Sequence, residues 1–145
     1  MADLREELVG ALSRIYGMES IEAFAEFYQG ELHVLQYLFL HSGERIYPSS
    51  ISDALFVTRA RVTAALSSLR RKGFVRMEIY ENDRRRMTVS LTKDGVAFVR
   101  EKQKNVMGHF DKLIKILGET DTKALIKIIH KCANASVNNH AGVGK

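Results

Sequence analysis

The chain has 145 residues, 46% of them apolar and 27% charged, with a formal net charge of +5 at pH 7. That is one ordinary domain with material for a core. No apolar run approaches the roughly 18–20 residues of a membrane span. The charged start Asp3-Leu4-Arg5-Glu6-Glu7 is not a secretory leader, and the lone Cys132 cannot close an internal disulfide. A cytoplasmic, reducing setting with no membrane partner is therefore expected. Residues 43–95 carry 11 Lys and Arg against 6 Asp and Glu, residues 1–42 carry 2 against 7, and residues 96–145 carry 9 against 4. A basic middle between oppositely charged arms can meet a polyanion while the arms meet each other, within one chain or between two; solvated faces would read the same.

In chain order, Leu4, Leu8, Leu12 and Ile15 recur at helical spacing up to Gly17. Ile21, Phe24, Phe27 and Tyr28 belong to a second helical stretch. Leu32, Leu35, Leu38 and Phe39 form a third, ending at Gly43 as a C-terminal cap. Ile46-Tyr47 reads as a short strand. Pro48-Ser49-Ser50 opens a short helix with Ile51, Ala54 and Leu55 inward. Thr58 caps the next helix, which buries Val62, Ala65, Leu66 and Leu69 and stops at Gly73.

The period then changes from helix to strand. Val75, Met77 and Ile79 alternate with polar partners, as do Met87, Val89 and Leu91, which predicts two half-buried strands of a hairpin with the polar tip 81–85. Thr92 caps a long final helix pair. Val96, Val99, Gln103, Val106, Phe110, Leu113 and Leu117 form a heptad seam that another helix must cover, from the same chain or a second copy. Gly118 and Thr120-Asp121 mark a break. Leu125, Ile128, Ile129 and Cys132 form the last apolar stripe, and the tail from Ser136 is expected to fray.

This order predicts a mainly α chain with one β-hairpin: a winged helix-turn-helix region over 43–95, flanked by N-terminal helices (1–42) and C-terminal dimerisation helices (96–136), with a loose tail (137–145), all one structural domain. A helix-turn-helix reads DNA by placing its second helix in the major groove. The candidate DNA-facing residues are Thr58, Arg59, Ala60, Arg61, Thr63, Ala64 and Ser67 on that helix, since arginine grips guanine with two bonds and small residues allow close approach; an ordinary exposed helix face has the same pattern. Arg84, Arg85 and Arg86 sit at or beside the hairpin tip, where arginines can enter a narrow minor groove, with Asp83 placed to orient Arg85. Arg70, Arg71 and Lys72 can touch phosphate or simply suit the helix C-terminus.

The stretches ALFVTRARVTAALSSLRRKGFV and ENDRRRMTVSLTKDG resemble the MarR family of transcription regulators. The matching features are the helix–Gly73 junction, Asp83-x-Arg85, and Val89-x-Leu91-Thr92-x-x-Gly95, and the resemblance is firmest over residues 46–95. It implies a homodimer built by helices from both chain ends, two winged domains reading a pseudo-palindromic operator, Arg85 as the wing arginine, and Thr63 at the recognition-helix threonine position. Such proteins often carry an arginine four residues after the glycine; here Met77 stands there, so that arginine's structural role does not carry over.

Enzymatic readings find no phosphate loop, Cys-x-x-Cys or His-Glu-x-x-His. No cofactor or metal site is expected: the histidines at 33, 41, 109, 130 and 140 are scattered, although His33 could meet His109 across a dimer. Cys132 reads as a buried, inert thiol rather than a redox sensor. Phe24, Tyr28 and Tyr37 are candidates to line a pocket for a small-molecule effector, or else core residues. The function expected is an effector-released repressor, a non-enzyme bound to double-stranded DNA. A metal- or redox-responsive regulator and a winged-helix protein-interaction module are the alternatives.

Overall fold

The computed structural model describes residues 3–79 and 87–141, with side chains to residue 137. The described elements follow in order: α1 (Leu4–Ile15), α2 (Glu19–Ala25), a 3-10 turn (Glu26–Tyr28), α3 (Gly30–Leu40), α4 (Pro48–Leu55), α5 (Arg59–Arg71), β1 (Val75–Ile79), β2 (Met87–Leu91) and α6 (Lys93–Ala141). The chain divides into two compact units, residues 1–107 and 108–145. The expected fold class, mainly helical with a small antiparallel hairpin in a winged-helix arrangement, is observed.

In the first unit the core joins Val34, Leu35 and Leu38 of α3, Ile46, Ile51 of α4, Val62, Leu66 and Leu69 of α5, Val75, Val89, and Val99 of α6. Each large aliphatic side chain buried there contributes about 1.5–3 kcal/mol. The inward face of α5 is the one its periodicity predicts; on α3 Leu35 and Leu38 are buried as expected, joined by Val34, while Leu32 and Phe39 are only half-buried. The hairpin is antiparallel and pairs Val75 with Leu91, Met77 with Val89 and Ile79 with Met87, so the alternating residues face each other in register.

Several expectations are corrected. Ile46-Tyr47 is not a strand: only the Ile46 carbonyl joins the sheet, accepting from the Val89 N–H at 2.8 Å. Ala54 is exposed, and Ser52 takes the inward place in α4. Ile79, expected on the half-buried face of its strand, is 56% exposed. The helical break near residue 118 is confined to Gly118, whose φ of 79° and ψ of 169° interrupt α6; Thr120-Asp121 lie within the helix, which continues to Ala141, past the end expected near residue 136.

In the second unit the stripe of Leu125, Ile128, Ile129 and Cys132 is exposed rather than buried. The amphipathic pattern is there, but no described residue buries that face, so the thiol expected to be buried is exposed. Among the described residues no helix is long and apolar enough to cross a membrane.

Candidate nucleic-acid interface

The helix-turn-helix is built from short-range chemistry. Pro48 starts α4 with its fixed φ, and the Ser50 hydroxyl accepts from the Tyr47 N–H at 3.4 Å. At the far end Ser52 builds the turn. Its carbonyl accepts from the N–H groups of Phe56 and Val57, and its buried hydroxyl donates to the Val57 carbonyl at 2.7 Å. Phe56 is thereby held in the left-handed region, with φ 55° and ψ 40°. Thr58 then caps α5, its hydroxyl oxygen accepting from the Arg61 N–H at 3.2 Å. Sequence reasoning finds Thr58 and misses Ser52. The available signal is its register, since a polar residue next to Ile51 on a short helix must find a partner once buried.

On α5 the division of faces is clean. Val62, Leu66 and Leu69 are buried, while Thr58, Arg59, Ala60, Arg61, Thr63, Ala64 and Ser67 are all exposed. The first turns of α4 and α5 hold no acidic residue, so their positive dipole ends and Arg59 and Arg61 act in one direction. The Thr63 hydroxyl donates to the Arg59 carbonyl at 2.9 Å. Its proton is therefore used within the helix, and the methyl and the oxygen lone pairs remain to be presented.

Arg70 and Arg71 are exposed at the other end of the helix. Lys72 has a different place: its ammonium lies 2.6 Å from the carboxylate of Glu31 in the first turn of α3. Lys72, and after it Ser68, hold the Glu31 carboxyl below the usual carboxylate range. Of the three cations considered for phosphate contact, Lys72 is thus answered inside the chain.

The wing's arginines and Asp83 (Asp83, Arg84, Arg85 and Arg86) lie outside the described residues. The base of the wing is held by Thr92. Thr92 donates its hydroxyl to the Gly73 carbonyl at 2.5 Å, gives its N–H to the Phe74 carbonyl at 3.0 Å, and accepts from the Gly95 N–H at 3.1 Å. A Cβ on Gly95 would collide with the Phe74 carbonyl oxygen. The Thr92-x-x-Gly95 motif is therefore a clamp between the residues that follow α5 and the start of α6. Met77, at the position where relatives often have arginine, packs against the core.

Of the effector candidates, the structure brings Phe24 and Tyr28 together, ring centroids 5.2 Å apart. They line a cavity of about 330 Å³ with Phe27, Gln36, Gln103 and Val106. Gln103, the polar member of the seam, donates to Gln36 at 3.2 Å. Tyr37 is not among the lining residues; its ring lies 4.3 Å from that of His41. His33 is beside Tyr28, at 5.9 Å. Among the described residues, no three His, Cys, Asp or Glu side chains converge to hold a metal ion.

With this geometry in hand, comparisons with known proteins agree. Residues 31–95 match the family described as a winged helix DNA-binding domain. The HTH-type transcriptional repressor YetL of Bacillus subtilis is 29% identical over 89 residues, 61% of this chain and 52% of that protein, so the match spans about half of the relative's length. The structure of MepR, a transcription regulator of the Staphylococcus aureus multidrug efflux pump MepA, superposes with a TM-score of 0.71 at 18% identity, covering 92% of this chain and 98% of that one. YusO from Bacillus subtilis gives 0.72 at 24% identity over 93% and 95% of the two chains. Streptococcus pneumoniae FabT, in complex with DNA, gives 0.68 at 20% identity over 92% and 98%.

The chain has a winged-helix fold, and its residues 31–95 match a winged helix DNA-binding domain. Its resemblance to the MarR family, read from residues 46–95, is borne out.

Proposed function

We propose that this protein is a transcriptional repressor that binds a pseudo-palindromic operator as a homodimer and is released by a small-molecule effector. The observation that carries this reading is the face of α5. Seven polar or small residues from Thr58 to Ser67 are exposed together on a helix whose opposite face is locked in the core. Arg59 and Arg61 supply the bidentate donors that read guanine, and Ala60 and Ala64 let the helix approach the base edges. YetL carries the name of a repressor, and FabT and MepR have each been crystallised with DNA.

A second copy is supported by apolar surface that one chain leaves open. Leu4, Leu8 and Leu12 of α1 are 78, 59 and 50% exposed, and Leu125, Ile128 and Ile129 form an open stripe in the second unit. Such faces resemble half of an obligate interface. The effector reading rests on the cavity beside Phe24 and Tyr28, apolar with a pair of glutamines at its wall. An effector bound there would act by preferring a separation of the two recognition helices unlike the roughly 34 Å of one duplex turn.

The test is footprinting of the chain on the DNA flanking its own gene. Protection of an inverted repeat, with binding that weakens steeply as salt rises, is the expected result. Absence of any salt-dependent duplex binding would overturn the reading.

A further inference from the structure

Phe56 stands at the turn between the two helices of the reading head, and two features of it meet that the packing of the chain does not reward. It is the one non-glycine residue among those described with a positive φ, at 55°. A bulky side chain is disfavoured there, and glycine or asparagine is the usual occupant. Its ring is also 95% exposed, so packing within the chain offers it next to nothing. The backbone is not free to relax, because Ser52 binds both N–H groups and the Val57 carbonyl of the turn. The fold thus demands a left-handed residue at position 56, and the sequence places an exposed phenylalanine in it. Strain combined with exposure of this kind is compensated outside the molecule or not at all.

We propose that Phe56 is an apolar DNA-contact residue, packing its ring on the hydrocarbon surface at the edge of the groove that α5 enters. This rests on the DNA-binding reading above. Phe56 is two residues before Thr58, the cap of α5, whose first turn carries the exposed Arg59 and Arg61. The surface that suits a phenyl ring at that place is a thymine methyl in the major groove or the apolar face of a deoxyribose. A charged or hydrogen-bonding partner would not select phenylalanine. The residue therefore adds affinity that does not depend on counterion release, unlike the arginines around it.

The experiment uses the full chain and a duplex that the parent protein selects from a randomised library. Phe56→Gly, Phe56→Asn and Phe56→Ala are compared with the parent by thermal melting and by fluorescence anisotropy across a salt series. The glycine and asparagine variants are expected to melt at or above the parent temperature, since both tolerate the left-handed region. All three are expected to bind the selected duplex at least about fivefold more weakly, with an unchanged slope of log K against log salt. Deoxyuridine in place of thymine distinguishes the two surfaces: if the difference between parent and Phe56→Asn vanishes, the contact is a thymine methyl, and if it persists, the deoxyribose face. Equal binding by parent and Phe56→Asn would overturn the inference and leave the proposed function standing. So would a lower melting temperature of both the glycine and asparagine variants, which would place the ring in a contact within the protein or with its own copy. A parent chain that selects no duplex would overturn both.

Discussion

Gly95 has no room for a side chain. Its Cα faces the Phe74 carbonyl that Thr92 also binds, so adding a methyl group forces backbone apart where two elements are clamped. Gly95→Ala is expected to destabilise the chain by about 1–3 kcal/mol, as overpacking generally does, measured by urea unfolding. Arg61 makes a different kind of contribution. Its backbone N–H is engaged by the Thr58 cap, while its side chain is exposed on the face proposed to read DNA. Arg61→Ala should leave the unfolding midpoint nearly unchanged, weaken operator binding by roughly 1–3 kcal/mol and relax base preference at one position. Unaltered affinity and preference would remove Arg61 from the readout. The contrast follows from burial: one change alters what holds the fold, the other what the fold presents.

Between elements, the Glu31–Lys72 pair ties the start of α3 to the end of α5. Glu31 titrates lower in the folded chain than in the unfolded one, so its contribution is complete above the unfolded pKa and lost as pH falls through the folded pKa. The pair is partly exposed, which limits its worth to no more than about 1 kcal/mol. Glu31→Gln should therefore melt slightly lower than the parent at neutral pH. The difference should close as the pH is taken below about 4.3, the ordinary glutamate value; a gap that stays constant across that range would show that the carboxylate charge is not what matters. This pair is invisible in the sequence because its members are far apart along the chain. Helices α3, α4 and α5 are legible, because Leu35, Leu38, Val62, Leu66 and Leu69 repeat at helical spacing and Pro48 and Thr58 mark helix starts. Ile46 misleads because one β-like residue that accepts a single ladder bond has the local composition of a strand without its length. Tyr37 groups with Phe24 and Tyr28 by residue type, whereas on α3 it lies four residues before His41, whose ring it meets.

For the molecule as a whole, α1 and residues 125–132 carry apolar side chains that are exposed among the described residues. Sedimentation of the full chain at micromolar concentration is expected to show a dimer, with Leu8→Glu or Ile128→Glu shifting it toward monomer. A monomer of the parent chain under those conditions would refute the homodimer. Cys132 belongs to this scale too. Its stripe resembles core, but a stripe states only that something must cover it, not which chain supplies the cover. The sequence alone determined which faces are apolar, where Thr58 and Thr92 cap their helices, and that Arg59, Arg61, Thr63 and Ser67 share one exposed face, since periodicity and capping act over a few residues. Only the tertiary structure decided that Ser52 builds the turn, that Phe56 is held left-handed and bare, that Lys72 is bound to Glu31, and that Gly95 sits on the Phe74 carbonyl. Those depend on which distant backbones meet, and that is settled by the packing of the whole core.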